Sequence, residues 1–389
     1  MVLEELTTEN TLQELAKEKL VTDEKILLRK PLNIAYDSKN RFVLLDNLRG
    51  LLILLVSVMI IMYRFPFIHY FMGHVMPTTN GIGFADFGVP GFIFMLCMMM
   101  SYNFKRNLAT KGAKSVVKTY IIRSIALVGI SFIMGYFASG AVFAEWTILA
   151  TYGLASLFLL AFMPIKKPEI RFGIGMGIML VYTIVLTAIS PSLSDFVPGQ
   201  VDGAIIGVIS YIGLMLVCTA FGELYFVNKK RFYFFGIIIG ALATVFLILR
   251  FTVPAESAFM PYIFISKHYQ SISFMTIALA AVIGLFMLAD KWKFLHRKKL
   301  PILNAMGQNT LLFFVVGGIF SQLSWVAMRM MGLTSNGDKV LFGENAVGFN
   351  GWEWIGGNVG HMFIALAIMM IPLIIMAYLF QRYKVRLSF

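Results

Sequence analysis

Imidazoles and carboxylates set close together are the raw material of acid–base catalysis, and one stretch of this chain supplies both. "HYFMGHVMPTTNGIGFAD" carries His69, His74, Asn80 and Asp86. Imidazole titrates near neutrality, and a neighbouring carboxylate fixes its tautomer and raises its basicity. An asparagine amide can donate to a developing oxyanion. These residue types therefore support proton transfer to or from a bound substrate. They are equally what interfacial histidines and an Asp-capped helix start would leave in a sequence.

A second group lies in "RFVLLDNLRGLLILL", residues 41–55. Asp46 and Arg49 are three residues apart, which makes them neighbours on one helix face. Two roles fit this spacing: an ion pair at a helix end, or an Arg49 that meets an anionic ligand such as a nucleotide phosphate. Glu223, late in the apolar run "CTAFGELYF", is expected to snorkel or to pair with Lys229. Glu145 and Asp202 read as carboxylates at helix starts, favoured there by the helix dipole. His268 and His296 fall in loops. His361, in "GGNVGHMF", opens the last apolar run and is a third candidate base. Cys97 and Cys218 both lie inside apolar runs, so neither a disulfide framework nor a metal centre is expected.

The elements that must position these groups follow from composition. Of 389 residues, 59% are hydrophobic and only 14% charged, with mean hydropathy +0.79, which is too little polar surface to coat a soluble globule. An all-α, polytopic membrane bundle is expected. A span needs about 20 apolar residues, and about ten such runs occur, near 43–64, 84–103, 119–142, 146–164, 172–192, 202–226, 232–252, 270–289, 302–327 and 356–380. The net charge of +13 sits in clusters between these runs: Lys105 to Lys118, Lys166-Lys167, Lys229-Lys230-Arg231, Lys291 to Lys299, and Arg382 to Arg386. Every second loop is basic, so the charge reads as positive-inside topology with both termini cytoplasmic, and no nucleic-acid partner is expected. The plasma membrane is the expected location, with membrane lipids as the surroundings.

Residues 1–40 mix acids and bases without an apolar core, so they read as a cytoplasmic extension with a short amphipathic helix and no cleavable signal peptide. Residues 41–389 form the membrane domain. The opposite loops 253–269 and 328–355 are long enough to cover or build a site. No internal repeat of the transporter kind is visible.

"LLDNLRGLLILL" at 44–55, an outward loop with His, and "NGIGFADFGVPGFIFMLCMMMSYNF" at 80–104 together resemble the transmembrane acyltransferases related to heparan-alpha-glucosaminide N-acetyltransferase. The positions that carry the resemblance are Asp46, Arg49, Gly50, Asn80, Gly81, Ala85, Asp86, Pro90, Phe92 and Phe94. "LPILNAMGQNTLLFF" at 300–314, with Asn309, is similar to that family's late helix start. Thr79 stands where the family usually has Trp, and the interval from His to Asn is longer here.

The resemblance implies an enzyme that takes acetyl-CoA from the cytoplasm and places the acetyl group on a hydroxyl or amine of an extracytoplasmic glycan or lipid-linked sugar. It implies His74 as catalytic base or acetyl carrier, with His69 and His361 as alternatives, Asp86 orienting the ring and Asn80 facing the oxyanion. Asp46, Arg49 and Asn309 would then serve acyl-CoA binding. Oligomeric state stays open, with a homodimer admissible. The competing reading is a transporter or a lipid or sugar flippase on the same scaffold, without acyl transfer.

Overall fold

The structure, a computed structural model, describes residues 36–37, 41–62, 65, 82–139, 148–193, 204–253, 265, 270–292, 295, 300–335, 354–355 and 359–385. The helices are α1 (Val43–Met62), α2 (Gly88–Cys97), α3 (Met100–Ser139), α4 (Ile148–Leu159), α5 (Pro168–Leu193), α6 (Ala204–Val227), α7 (Lys229–Thr252), α8 (Ile272–Lys291), α9 (Pro301–Gln308), α10 (Thr310–Met330) and α11 (Val359–Arg382). A 3-10 turn, Phe84–Phe87, leads into α2. The strands are two-residue antiparallel pairs, β1 (Tyr36–Asp37) with β2 (Arg41–Phe42), and β3 (Thr334–Ser335) with β4 (Trp354–Ile355).

Among the described residues, eight helical segments are long and apolar enough to cross a membrane. Two expected spans, 84–103 and 119–142, overlap one such segment, Gly88–Ile133. Inside it, Gly112 (φ 76, ψ 162) breaks the helical backbone. That conformation is open essentially only to glycine. The expected span 146–164 contains the 12-residue α4, about 18 Å long at 1.5 Å per residue and short of the roughly 30 Å hydrocarbon layer. The expected span 302–327 is two helices, α9 and α10, parted at Asn309 (φ −119, ψ 39).

Burial ranks the helices. α6 lies deepest, packed by α2, α3, α4, α5 and α7, whereas α7 and α11 are peripheral. The exposed face of α7 presents Phe234, Ile237, Val245, Ile248 and Phe251, a surface that water disfavours and lipid tails accept. At the centre, Phe94, Phe221, Tyr225, Phe232 and Phe286 stack edge to face, with centroids 5.1 Å apart for Tyr225–Phe286 and 5.6 Å for Phe94–Phe286 and Phe221–Phe232.

Helix directions define two ends of the bundle. α2 and α8 run parallel, since Gly91 lies beside Val282 and Phe94 beside Phe286. α1 runs against α2, because Arg49 near its start bonds Met95 near the end of α2. The starts of α2 and α8 therefore share one end, called here the Asp86 end. The start of α1 and the finish of α8 share the other, the Asp46 end.

Candidate functional site

Of the expected site residues, His74 and Asn80 lie outside the described residues, as do His69, His268, His296, Glu145, Asp202, Thr79 and Gly81. The extension 1–40 lies outside too, except for β1, as does most of the loops 253–269 and 328–355. Asp46, Arg49, Asp86, Asn309, Glu223 and His361 are described, and they divide between the two ends.

At the Asp46 end, Arg49 donates from Nε (3.1 Å) and Nη2 (2.9 Å) to the Met95 carbonyl, tying α1 to α2. Its Nη1 lies 3.7 Å from Asp46 Oδ1. The ion pair foreseen from the three-residue spacing is thus present, and it is the weaker part of the arrangement. Asn47 donates to the Leu295 carbonyl (2.8 Å), anchoring α1 to the segment before α9.

The Asp46 motif and the 300–314 segment meet directly. A Cβ on Gly307 would run into the Asp46 carbonyl, and a Cβ on Gly50 into that of Leu303. Only residues without side chains let the two backbones come this close. Asn309 is nearly fully buried and donates through Nδ2 to the Ala305 (3.0 Å) and Val385 (3.3 Å) carbonyls. Its amide holds the α9–α10 break and the chain after α11 together.

Two further charged clusters lie at the same end. Glu223 accepts from Ser101 Oγ (2.9 Å), Lys105 Nζ (2.6 Å) and Arg171 Nη2, and Arg171 Nη1 also donates to Ser101 Oγ (3.2 Å). The expected Lys229 partner is therefore wrong. Lys229 instead donates to Asp290 (3.0 and 3.1 Å), which also accepts from Tyr225 (2.6 Å) and Tyr233 (3.1 Å). Arg171 is completely buried, and a lone cation there would be costly, so the carboxylate of Glu223 is what makes its position tenable. Sequence reasoning missed Arg171 and Asp290. Each abuts the limit of an expected span, 172–192 and 270–289, where a charge passes for a boundary residue.

At the other end, Asp86 is completely buried in the 3-10 turn before α2. Its Oδ2 accepts from the Gly83 N–H at 2.7 Å, while its own N–H donates to the Gly83 carbonyl at 3.1 Å. The carboxylate thus closes the turn behind it. It does not cap α2, whose first residue is preceded by Phe87 without a side-chain cap. Pro90 falls in the first turn of α2, where its missing N–H costs nothing. His361, near the start of α11, is half-buried, and its Nδ1 is buried without a hydrogen-bond partner.

Among the described residues, no three His, Cys, Asp or Glu side chains gather closely enough to hold a metal ion. The cations at the Asp46 end suit an anionic group, and the buried Asp86 turn suits a neutral or cationic one. Fold and burial together define a multi-pass, all-helical membrane bundle whose ion pairs, among the described residues, gather at the Asp46 end. The chain matches no protein-family model and no curated protein.

Proposed function

We propose that this protein is a membrane acyltransferase that moves an acetyl or short acyl group from cytoplasmic acyl-CoA to a hydroxyl or amine of an extracytoplasmic glycan or lipid-linked sugar. The observation that carries the reading is the contact between Gly307 and the Asp46 carbonyl. The two stretches that resemble the acyltransferase family, 41–105 and 300–314, are some 200 residues apart in the chain, yet they pack backbone to backbone. A shared motif whose parts meet in space is what a common site requires.

In this reading about ten helices cross the plasma membrane, with the Asp46 end cytoplasmic. Arg49 and the neighbouring basic loops attract the phosphates of acyl-CoA, with Asp46 and Asn309 shaping the place where it docks. The acyl group passes through the bundle to the Asp86 end. There His74 takes the proton from the acceptor as the acceptor oxygen or nitrogen attacks the thioester carbonyl, and CoA thiolate leaves; the His–Asp86 couple and Asn80 serve the charge that develops. An acetyl-His intermediate is the variant in which the ring attacks first.

Comparative mass spectrometry of envelope glycans and lipids tests the proposal. Cells with the gene deleted should lose an acetyl-sized mass increment on one glycan or lipid class, and plasmid-borne protein should restore it. An unchanged profile favours the transporter or flippase.

A further inference from the structure

The strongest unexplained feature of the molecule is a buried polar group at the Asp86 end. Gln270 precedes the N-cap of α8, is completely buried, and holds a positive φ of 51°. Its main-chain carbonyl accepts from Ser210 Oγ at 2.8 Å. Its side-chain amide has no partner: both Oε1 and Nε2 are buried without a hydrogen bond. A buried amide left in this state is costly, so native structures keep such groups for a purpose or fill them with a ligand or water.

Among the described residues, the side chains bonded around this stretch carry hydroxyls. Ser271 and Ser273, both buried, share a hydrogen bond of 3.0 Å, and Thr183 Oγ1 accepts from the Ile272 N–H at 2.9 Å. Thr276 is completely buried, and its Oγ1 likewise lacks a partner. It lies one turn beyond Ser273 on the same face of α8. α5 brings Thr183, α6 brings Ser210, α8 brings Ser273 and Thr276, and the residues just before α8 bring Gln270 and Ser271.

Position ties this cluster to the proposed chemistry. α2 and α8 run parallel in register, Gly91 with Val282 and Phe94 with Phe286. Followed back, the same register brings the Phe84–Phe87 turn level with the first turns of α8, against which it packs. Gln270 and Thr276 therefore lie at the end of the bundle that holds Asp86.

We infer that Gln270 and Thr276 form a binding subsite for a neutral, hydroxyl-rich ligand, a saccharide, whose hydroxyls satisfy the unpartnered amide and Oγ1. In the acyltransferase reading, on which the ligand's role rests, this is where the acceptor sugar is held. An amide both donates and accepts, as a sugar hydroxyl does. A site built to bond a hydroxyl rejects analogues that lack it, because its own buried groups are then left unpaired.

Saturation-transfer NMR with methyl β-D-glucoside tests this on the full-length protein in phosphatidylcholine nanodiscs, which contain no sugar. Wild-type protein should transfer saturation to the sugar ring protons. Gln270→Leu should reduce that transfer at least fivefold while melting at the same temperature as wild type or higher, since it removes an unsatisfied amide. Thr276→Val, which is nearly isosteric, should weaken transfer in the same direction.

Absence of transfer to the wild type, or equal transfer to wild type and Gln270→Leu, overturns the subsite; the amide is then water-filled. The two readings fail separately. Glucoside binding that depends on Gln270, in a protein indifferent to acetyl-CoA, removes acyl transfer and keeps the sugar site. Acetyl-CoA consumption with glucoside binding that ignores Gln270 removes only the subsite.

Discussion

Gly307 rests on the main-chain carbonyl of Asp46, and Gly50 rests in the same way on that of Leu303. The reciprocal contact fixes α9 across the start of α1 at backbone distance. Gly50→Ala and Gly307→Ala should each push the helices apart, at a cost of about 1–3 kcal/mol or more from overpacking. Gly173→Ala, where an added Cβ meets nothing within 4 Å, is the control. Thermal unfolding in detergent should separate the first two variants from the third, and equal melting temperatures for all three would refute the contact.

Glu223 balances a fully buried Arg171. Glu223→Leu should therefore destabilise strongly, by about 3–5 kcal/mol, because it strands a cation. Pairing it with Arg171→Met should recover most of the loss, since apolar residues of similar volume often replace a buried ion pair without penalty. Denaturation of the single and double variants measures this; a double variant as weak as Glu223→Leu would show that the pair is not what holds α5 to α6.

Asp86 has a structural duty that is separable from a chemical one. Asp86→Asn retains an oxygen for the Gly83 N–H, so it should fold with near wild-type stability, whereas Asp86→Leu leaves that N–H unbonded and should unfold at lower temperature. If the carboxylate also orients a catalytic imidazole, Asp86→Asn should lower acyl transfer despite its intact fold. Unchanged turnover in a folded Asp86→Asn protein would confine the residue to the turn.

General base assistance is worth about 10²–10⁴ in rate. His74→Ala should lower turnover by that order while acetyl-CoA binding survives, and His69→Ala and His361→Ala should have small effects. Full activity in His74→Ala together with loss in either of the others moves the base to that residue.

Helix limits were legible at several apolar runs, though α3 continues through the basic cluster Lys105 to Lys118. The expected 43–64, 202–226 and 270–289 compare with Val43–Met62, Ala204–Val227 and Ile272–Lys291. Breaks inside apolar runs were not. Asn309 does not change the hydropathy around it, although it departs from the helical backbone; Gly112, by contrast, breaks the helix within the basic stretch expected between two spans. Partner choice was illegible as well. Lys229 is near Glu223 in sequence, but the carboxylate turns to Arg171 on another helix, and only three-dimensional packing decides that. The orphaned amide of Gln270 left no sequence signal, since a glutamine at a span's edge looks solvated. At the proposed catalytic centre, Asp86 stood out as an acid in an apolar stretch, and its service to Gly83 followed only from the turn geometry.

The central claim is that this bundle uses acyl-CoA, and titrating the purified protein with acetyl-CoA while following its melting temperature tests it most directly. A ligand that binds the folded state adds about 2.7 kcal/mol of stability at a hundred times its dissociation constant. The account predicts a saturable rise in melting temperature, shared by CoA, diminished in Arg49→Ala and absent with acetate alone. A melting temperature indifferent to acetyl-CoA up to millimolar concentration would contradict it.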